Sequence, residues 1–438
     1  MSKKNGGCKL KKRLFNFLLP LVFVTTIFSG LVPSEYVQAA PNDQPKIVGK
    51  TAITMDVQTG EIIYAQGIDE KMYPASVTKI MTGLLFAENK QKSDLIPYTE
   101  SAKAQPAYAL STDLLKNKIK VGDTMTGEDV MEALLLFSAN DSAYMVADSV
   151  SGNSTNFIKM MNDRAAKLGL KNTNFVTANG IDDKIDNHLT TAYDLTVIGR
   201  EAYKNPWIKE TIATKKSKLE TSTGVIAYVE NRNKLLGQNG AVGGKTGYTS
   251  KAGRCLLAFY ERDGRTIVGV VMKSEYDAQD SQVFKDMETI INWSYDAKRV
   301  KVYDKGATVK TETLTYKPLR FFGPEKTIEV PLMINDEVSY YENSVNKAEL
   351  KTEISTSNLD PWNLTAETKV GKLTAQQREV NTSYDLYTTV TSKDLMAANK
   401  SLYFAAGAGA FVAIVAILFI LFLISRGLRK GTKKQRFR

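Results

Sequence analysis

Between residues 44 and 298, short alternating or apolar runs interleave with stretches of helical period. Ala52-Ile53-Thr54-Met55-Asp56-Val57, with Ile47-Val48 just before it, predicts a strand. Thr59-Gly60 then turns the chain into Glu61-Ile62-Ile63-Tyr64-Ala65, which completes a hairpin. Pro74 precedes a helical run over residues 77–89, where a proline is tolerated at a helix start. Residues 125–150 are apolar and helix-rich but interrupted at Ser138-Ala139-Asn140-Asp141. Ala241-Val242-Gly243-Gly244 leads into Lys245. The runs 255–260 and 266–272, split by Arg262-Asp263-Gly264-Arg265, predict adjacent antiparallel strands, and 277–294 a closing helix. The mixture predicts an α/β (α+β) domain over 44–298.

Past residue 300 the pattern shifts to strand period alone. Residues 309–316, 327–332, 349–356 and 384–391 alternate or carry β-branched residues between polar turns. They predict a small all-β sandwich domain over 303–392, linked by 392–400 to an uncharged stretch at 402–424. At about 1.5 Å per residue that stretch makes a helix of roughly 35 Å, enough to cross a hydrocarbon core of about 30 Å. Arg426, Arg429, Lys430, Lys433, Lys434, Arg436 and Arg438 follow with no acid among them, so the tail 425–438 is expected in the cytoplasm and the body outside. Ala405, Gly409 and Ala413 stand four apart, a spacing that lets helices approach but more often faces lipid.

The other end also reads as an address. Lys3, Lys4, Lys9, Lys11, Lys12 and Arg13 precede an apolar stretch at 14–32, and Val37-Gln38-Ala39 offers small residues to a signal peptidase. The expectation is a signal peptide over 1–39, cleaved after Ala39 or Ala40; a retained N-terminal helix is the alternative. The formal charge of +11 therefore sits at the two ends, and the exported body carries about −1. That body lacks the basic surplus a nucleic-acid partner requires. With Cys8 removed, Cys255 is the remaining cysteine and forms no intramolecular disulfide. One His and one Cys make no transition-metal site and leave little for a His-dependent serine triad. A cytoplasmic tail without an outer-membrane signature suits a Gram-positive envelope.

Candidate chemistry lies in three fragments. Ser76 and Lys79 stand three apart in Pro74-Ala75-Ser76-Val77-Thr78-Lys79; Ser138-Ala139-Asn140 follows 62 residues after Ser76, and Lys245-Thr246-Gly247 another 107 on. Each is weak alone, but the ordered set is that of the penicillin-recognising serine acyltransferases. Three residues along a helix share a face, so Lys79 can reach the Ser76 hydroxyl and act as its base if it is neutral. Its free pKa is about 10.4, and a second ammonium about 4 Å away at an effective dielectric of about 20 would depress it by some three units. Lys245 is the expected source of that charge.

On these motifs the chain resembles the low-molecular-mass class C penicillin-binding proteins of the type-5 group, serine D-alanyl-D-alanine carboxypeptidases with a β-lactamase-like catalytic domain. Leu168 to Phe175, Ala178-Asn179-Gly180-Ile181-Asp182, Thr191-Ala192-Tyr193-Asp194 and Asn231-Arg232-Asn233 also resemble stretches usual there. The spanning C-terminal segment departs from members that lie on the membrane by an amphipathic helix. The resemblance implies Ser76 as nucleophile, Lys79 as base and Ser138 as proton carrier to the leaving D-alanine. It implies that Asn140 orients Lys79 and the peptide, and that Lys245 and Thr246, with Gly247 in the same strand, bind the substrate carboxylate with help from Arg232. The oxyanion falls to the backbone N–H groups of Ser76 and Tyr248. The implied partners are a peptidoglycan stem pentapeptide ending in D-Ala-D-Ala, β-lactams and the membrane, with no cofactor and no metal.

Other readings of single residues stay open. Ser138 and Asn140 could cap the next helix, and Arg232 could be a solvated loop charge. His188 is better read as a structural hydrogen-bonding group than as catalytic, Asp141, Asp182 and Asp194 as turn supports, and Cys255 as core. The competing functions are a DD-endopeptidase, a β-lactamase, or a catalytically idle wall-binding or penicillin-binding protein.

Overall fold

In the computed structural model, residues 44–357 and 359–434 are described. The expected signal peptide, with Cys8, and the last four residues of the tail lie outside them. The scaffold of the site is a five-stranded antiparallel sheet, ordered Ile62–Gln66, Thr51–Asp56, Arg265–Ser274, Gly253–Arg262, Ala241–Thr249. Its central strands are apolar on both faces because helices cover both. Leu257, Phe259, Val268 and Val270 pack with Lys79–Asn89, Asn140–Ser151 and Ala192–Tyr203, while Leu256, Ala258, Ile267 and Val271 meet Gln282–Asp296. A fully buried Leu or Ile contributes about 1.5–3 kcal/mol, so this double-sided packing makes the sheet a rigid base for the motifs at its rim.

Local hydrogen bonding moved several expected boundaries. Ile47-Val48 does not extend the first strand, because the N–H groups of Val48 and Gly49 donate to the buried Asp286 carboxylate at 3.1 and 2.9 Å. The closing helix starts at Gln282 rather than 277: Asp277 accepts from the Ser281 N–H and hydroxyl and holds a turn there. Ser76 sits on a 3-10 turn, Ala75–Thr78, one step before the α-helix Lys79–Asn89. The expected linker at 392–400 is also ordered. Thr391 and Asp394 form a capping box that starts a helix over Ser392–Ala398.

The β-rich part has a second five-stranded antiparallel sheet, ordered Thr308–Tyr316, Lys326–Ile334, Val380–Tyr387, Gly371–Gln377, Lys351–Thr356. A two-stranded ribbon, Arg299–Tyr303 with Val338–Tyr341, forms the other layer. Val330, Leu332, Ile334, Val338, Leu373 and Leu386 fill the core between them. The strand expected from 349 starts at Lys351, since Asn343 caps a helix over Ser344–Glu349.

That helix also protects the catalytic sheet. Ile62–Gln66 is an edge strand, whose unpaired carbonyls would otherwise invite another strand. Asn346 Nδ2 donates to Ile62 O at 2.7 Å and to Tyr341 O at 2.8 Å. Beside it, Arg378 forms a bidentate pair with Asp69 at 2.7 and 2.8 Å and also reaches Glu349. Asn346→Ala leaves the Ile62 and Tyr341 carbonyls only the longer contacts from Asn343 Nδ2, at 3.3 and 3.5 Å, and about 1–2 kcal/mol of unfolding free energy should be lost. Urea unfolding of the two proteins measures it; an unchanged midpoint would show that water replaces the amide at no cost.

Candidate active site

The serine is placed by strain and by contact. Ala75, immediately before it, has φ +47, a left-handed conformation that a residue with a Cβ seldom adopts. The kink turns Ser76 outward at the head of the helix while Val77 and Thr78 stay buried. Gly247 of the edge strand Ala241–Thr249 packs straight onto this turn: a Cβ there would stand 3.0 Å from Ser76 N and 3.1 Å from Pro74 O. Gly180 supports the other side at φ +86, where a Cβ would collide with Ala75 O at 1.9 Å. Both glycines are therefore steric requirements of the serine turn.

Lys79 lies directly behind. Its side chain is fully buried, and Nζ stands 2.9 Å from Ser76 Oγ, 3.0 Å from Asn140 Oδ1 and 2.9 Å from Asn179 O. Asn140 Nδ2 donates to Ala107 O at 2.8 Å, so the amide orientation is fixed and Oδ1 faces the lysine. Asn140 Oδ1 and the Asn179 carbonyl only accept. A neutral amine spends its two N–H groups on them, and its lone pair is left pointing at the Ser76 hydroxyl. The environment favours that neutral form. Burial first, then the Arg232 charge, lowers the Lys79 pKa to about 7, against a smaller opposing pull from Asp141.

The expected cause of that shift needs correction. Desolvation leads and the Arg232 charge follows at Lys79, while the repulsion between Lys79 and Lys245 shows at Lys245. Lys245 is itself buried, donates to Thr246 O at 2.8 Å, and is held well below its ordinary pKa by burial and then by the Lys79 and Arg232 charges. Two lysines withdrawn from water disfavour each other's charge, and an arriving carboxylate would relieve Lys245.

Arg232 is not a solvated loop charge. Its guanidinium lies between the rings of Tyr108 and Phe137, at 4.9 and 4.4 Å from their centroids. Ser138 reaches the cleft because the helix Gly127–Glu132 widens into a π-turn over Ala133–Phe137 and Ser138 itself adopts φ +74. Its side chain and that of Asn140 do not cap the next helix, where Ala139 occupies the cap position without a side-chain bond. Ser76, Ser138, Asn140, Arg232, Thr246 and Tyr248 line one cleft of about 1020 Å³. Lys79 and Lys245 lie beneath its floor. The Tyr248 side chain is largely exposed and rests on Tyr276 at 4.8 Å, so its contribution at the serine is its backbone. Ala241–Thr249 is an edge strand, and one row of its N–H groups is free to face the cleft.

Supporting residues explain the rest of the local sequence. Asp141, buried, accepts from the N–H groups of Leu110 and Ser142 at 2.8 and 3.0 Å and fixes the loop carrying Tyr108; burial raises its pKa to about 6. Asp182 accepts from Thr249 Oγ1 at 2.7 Å and ties the Asn179 loop to the strand of Lys245. His188 Nδ1 accepts from Val176 N at 2.9 Å, which leaves Nε2–H to donate to Thr78 Oγ1 at 3.0 Å. Burial holds it neutral, with a pKa of about 4. Cys255 is buried in the central sheet. The Asn179 carbonyl escaped sequence reasoning. Backbone acceptors carry no side-chain signature, and the one available signal was the Ala178-Asn179-Gly180 stretch itself.

A buried lysine 2.9 Å from a cleft-lining serine, with Arg232 in the same cleft, has the geometry of a serine acyl-transfer enzyme. Comparison with known proteins agrees. The D-alanyl-D-alanine carboxypeptidase profile matches residues 38–276, more than half of the chain. The chain belongs to the D-alanyl-D-alanine carboxypeptidase family of serine peptidases. The carboxypeptidase DacF of Bacillus subtilis is 28% identical over 281 residues, covering 63% of this chain and 70% of the relative. DacC of Escherichia coli is 27% identical over 348 residues, 78% of this chain and 82% of the relative. The Streptomyces K15 DD-transpeptidase structure aligns at 29% identity with a TM-score of 0.52, covering 58% of this chain and 99% of that one. The structure of a Mycobacterium tuberculosis D-alanyl-D-alanine carboxypeptidase aligns at 25% identity with a TM-score of 0.55, covering 60% and 96%.

Because the Arg232 charge lowers the Lys79 pKa, Arg232→Gln should raise it. The acid limb of serine acylation then moves to higher pH by roughly half a unit to one unit, worth about 1 kcal/mol. Acylation rates with a fluorescent β-lactam between pH 5 and about 10 measure the shift. A uniform loss at every pH would assign Arg232 to binding alone.

Proposed function

We propose that the protein removes the terminal D-alanine from peptidoglycan stem pentapeptides through an acyl-enzyme on Ser76. One observation carries the reading: the buried Lys79 Nζ stands 2.9 Å from Ser76 Oγ, where burial lowers its pKa to about 7 and suits it to take the hydroxyl proton. Ser76 Oγ attacks the carbonyl carbon of the penultimate D-alanine and gives its proton to Lys79 Nζ. The oxyanion rests on the Ser76 and Tyr248 N–H groups. The C–N bond breaks as Ser138 passes a proton, supplied from Lys79, to the departing amine. Water then attacks the ester, Lys79 takes its proton, and the tetrapeptide leaves with Ser76 restored.

Thr246, Arg232 and Lys245 would hold the terminal carboxylate, which fits the cationic lining of the cleft and the repulsion stored between the two lysines. Gly247 keeps that strand against the serine turn, and Asn140 aims Lys79. A β-lactam presents the same carbonyl and carboxylate to the same groups and acylates Ser76. The carboxypeptidase names of the relatives favour hydrolysis of the terminal residue over cross-link cleavage.

We also place a catalytic domain over 44–298 and a β-rich domain over 303–392 outside the cell, held to a membrane of Gram-positive type by the C-terminal helix. Lys400–Gly427 is long and apolar enough to span. Along it Phe411, Ile417, Phe419 and Leu421 are exposed, as a lipid-facing helix requires. The basic residues after Ser425 would then stay cytoplasmic.

Two substitutions test the chemistry. Ser76→Ala should abolish D-alanine release from a peptide ending in D-Ala-D-Ala. Lys79→Arg keeps a cation but removes the base, and should slow acylation by about 10²–10⁴-fold. D-alanine release that survives in Ser76→Ala would overturn the assignment.

A further inference from the structure

A loop of the β-rich part sits beside the first turn of the apolar helix and carries two large side chains into solvent. Phe321 and Phe322 are each 72% exposed, adjacent in sequence and at the tip of the turn that joins strands Thr308–Tyr316 and Lys326–Ile334. Exposure here is built in. Arg320 N donates to Lys317 O at 2.9 Å, Leu319 N to Phe322 O at 3.1 Å and Phe321 N to Leu319 O at 2.7 Å, so the turn closes on itself with the rings outside. Trp362 Nε1 braces it through Lys317 O at 3.1 Å.

The same loop is fastened to the helix. Tyr403 Oη donates to Pro318 O at 2.7 Å, and Lys326 Nζ donates to Asn399 Oδ1 at 2.6 Å. Asn399 Nδ2 in turn donates to Tyr316 Oη at 2.9 Å. The loop is thereby held level with residues 399–403, where the uncharged run begins. At that level Met396 and Phe404 are also exposed, at 50% and 84%. The two segments that carry the apolar group are basic: Lys317, Arg320, Lys326, Lys393 and Lys400 lie in them, against Glu325 and Asp394.

We propose that Phe321 and Phe322 insert into the outer leaflet of the bilayer that the C-terminal helix enters, with the lysines and arginine of these segments at the anionic headgroups. Aromatic residues favour this interfacial depth, and basic side chains near an anionic surface are attracted to it. The inference rests on the spanning reading of the helix. It adds a second contact, through which the β-rich part meets the membrane in one orientation rather than swinging on a single helix. Because Asn346 and Arg378 join that part to the catalytic sheet, the orientation would be passed to the cleft.

The test uses the full chain in nanodiscs of mixed phosphatidylcholine and phosphatidylglycerol. An environment-sensitive fluorophore is attached at Phe322→Cys, and in a separate protein at Phe411→Cys, with β-lactam acylation as the check on folding. Both proteins also carry Cys8→Ser, and buried Cys255 does not compete for the label. The proposal expects both probes to shift to shorter emission wavelength and to be quenched by a lipid-borne nitroxide. Quenching at 411 with a water-exposed probe at 322 would overturn the loop's membrane contact while leaving the anchor, and would point to a protein partner for the two rings. Water exposure at both positions would overturn the spanning reading and the inference with it.

Discussion

The amine of Lys79 is the point on which the rest of the structure depends. It is sealed from water, and two acceptor oxygens claim its protons, so its third direction falls on Ser76. Neither acceptor could be replaced by a group that donates without turning the lone pair away. The surrounding fold supplies each piece from a different element: the serine from a strained 3-10 turn, Asn140 from the head of a helix, the Asn179 carbonyl from a loop closed by Asp182. The central sheet holds all three in register because it is packed on both faces.

Charge is handled with the same economy. Arg232 lines the cleft while Lys79 and Lys245 are buried, and Asp141, the acid that acts on Lys79, is occupied by backbone donors. Burial lowers the pKa of both lysines, that of Lys79 to about 7, which suits the proposed role of Lys79 as a base near neutral pH. Arg232 cannot lose its proton under these conditions, so the two ring faces of Tyr108 and Phe137 hold it as a fixed cation.

Much of this was legible in the chain. Three motifs in order named candidate residues that the structure brings together, and the apolar strands around Cys255 and Val268 are central strands of the sheet beside them. What escaped was whatever depends on backbone or on distance. Asn179 acts through its carbonyl, which any residue possesses. Ala75 has no special composition, and its positive φ belongs to a turn for which Gly180 and Gly247 leave room on two sides. Boundaries shifted where side-chain carboxylates captured backbone N–H groups, Asp286 those of Val48 and Gly49 ahead of the first strand and Asp277 that of Ser281 ahead of the last helix of the domain, a competition that periodicity does not register. Arg232 could be read equally as a ligand or as a loop charge, because its aromatic clamp is assembled from residues distant in sequence.

The claim that Lys79 is neutral at working pH is open to direct observation. Lysine labelled with carbon-13 at the ε position, followed by NMR across pH 5 to about 11, reports the ionisation of each side chain. The account predicts one resonance, missing from the Lys79→Arg protein, that titrates near pH 7. A Lys79 resonance that titrates with the exposed lysines, above about pH 10, would contradict it and leave Ser76 without its base.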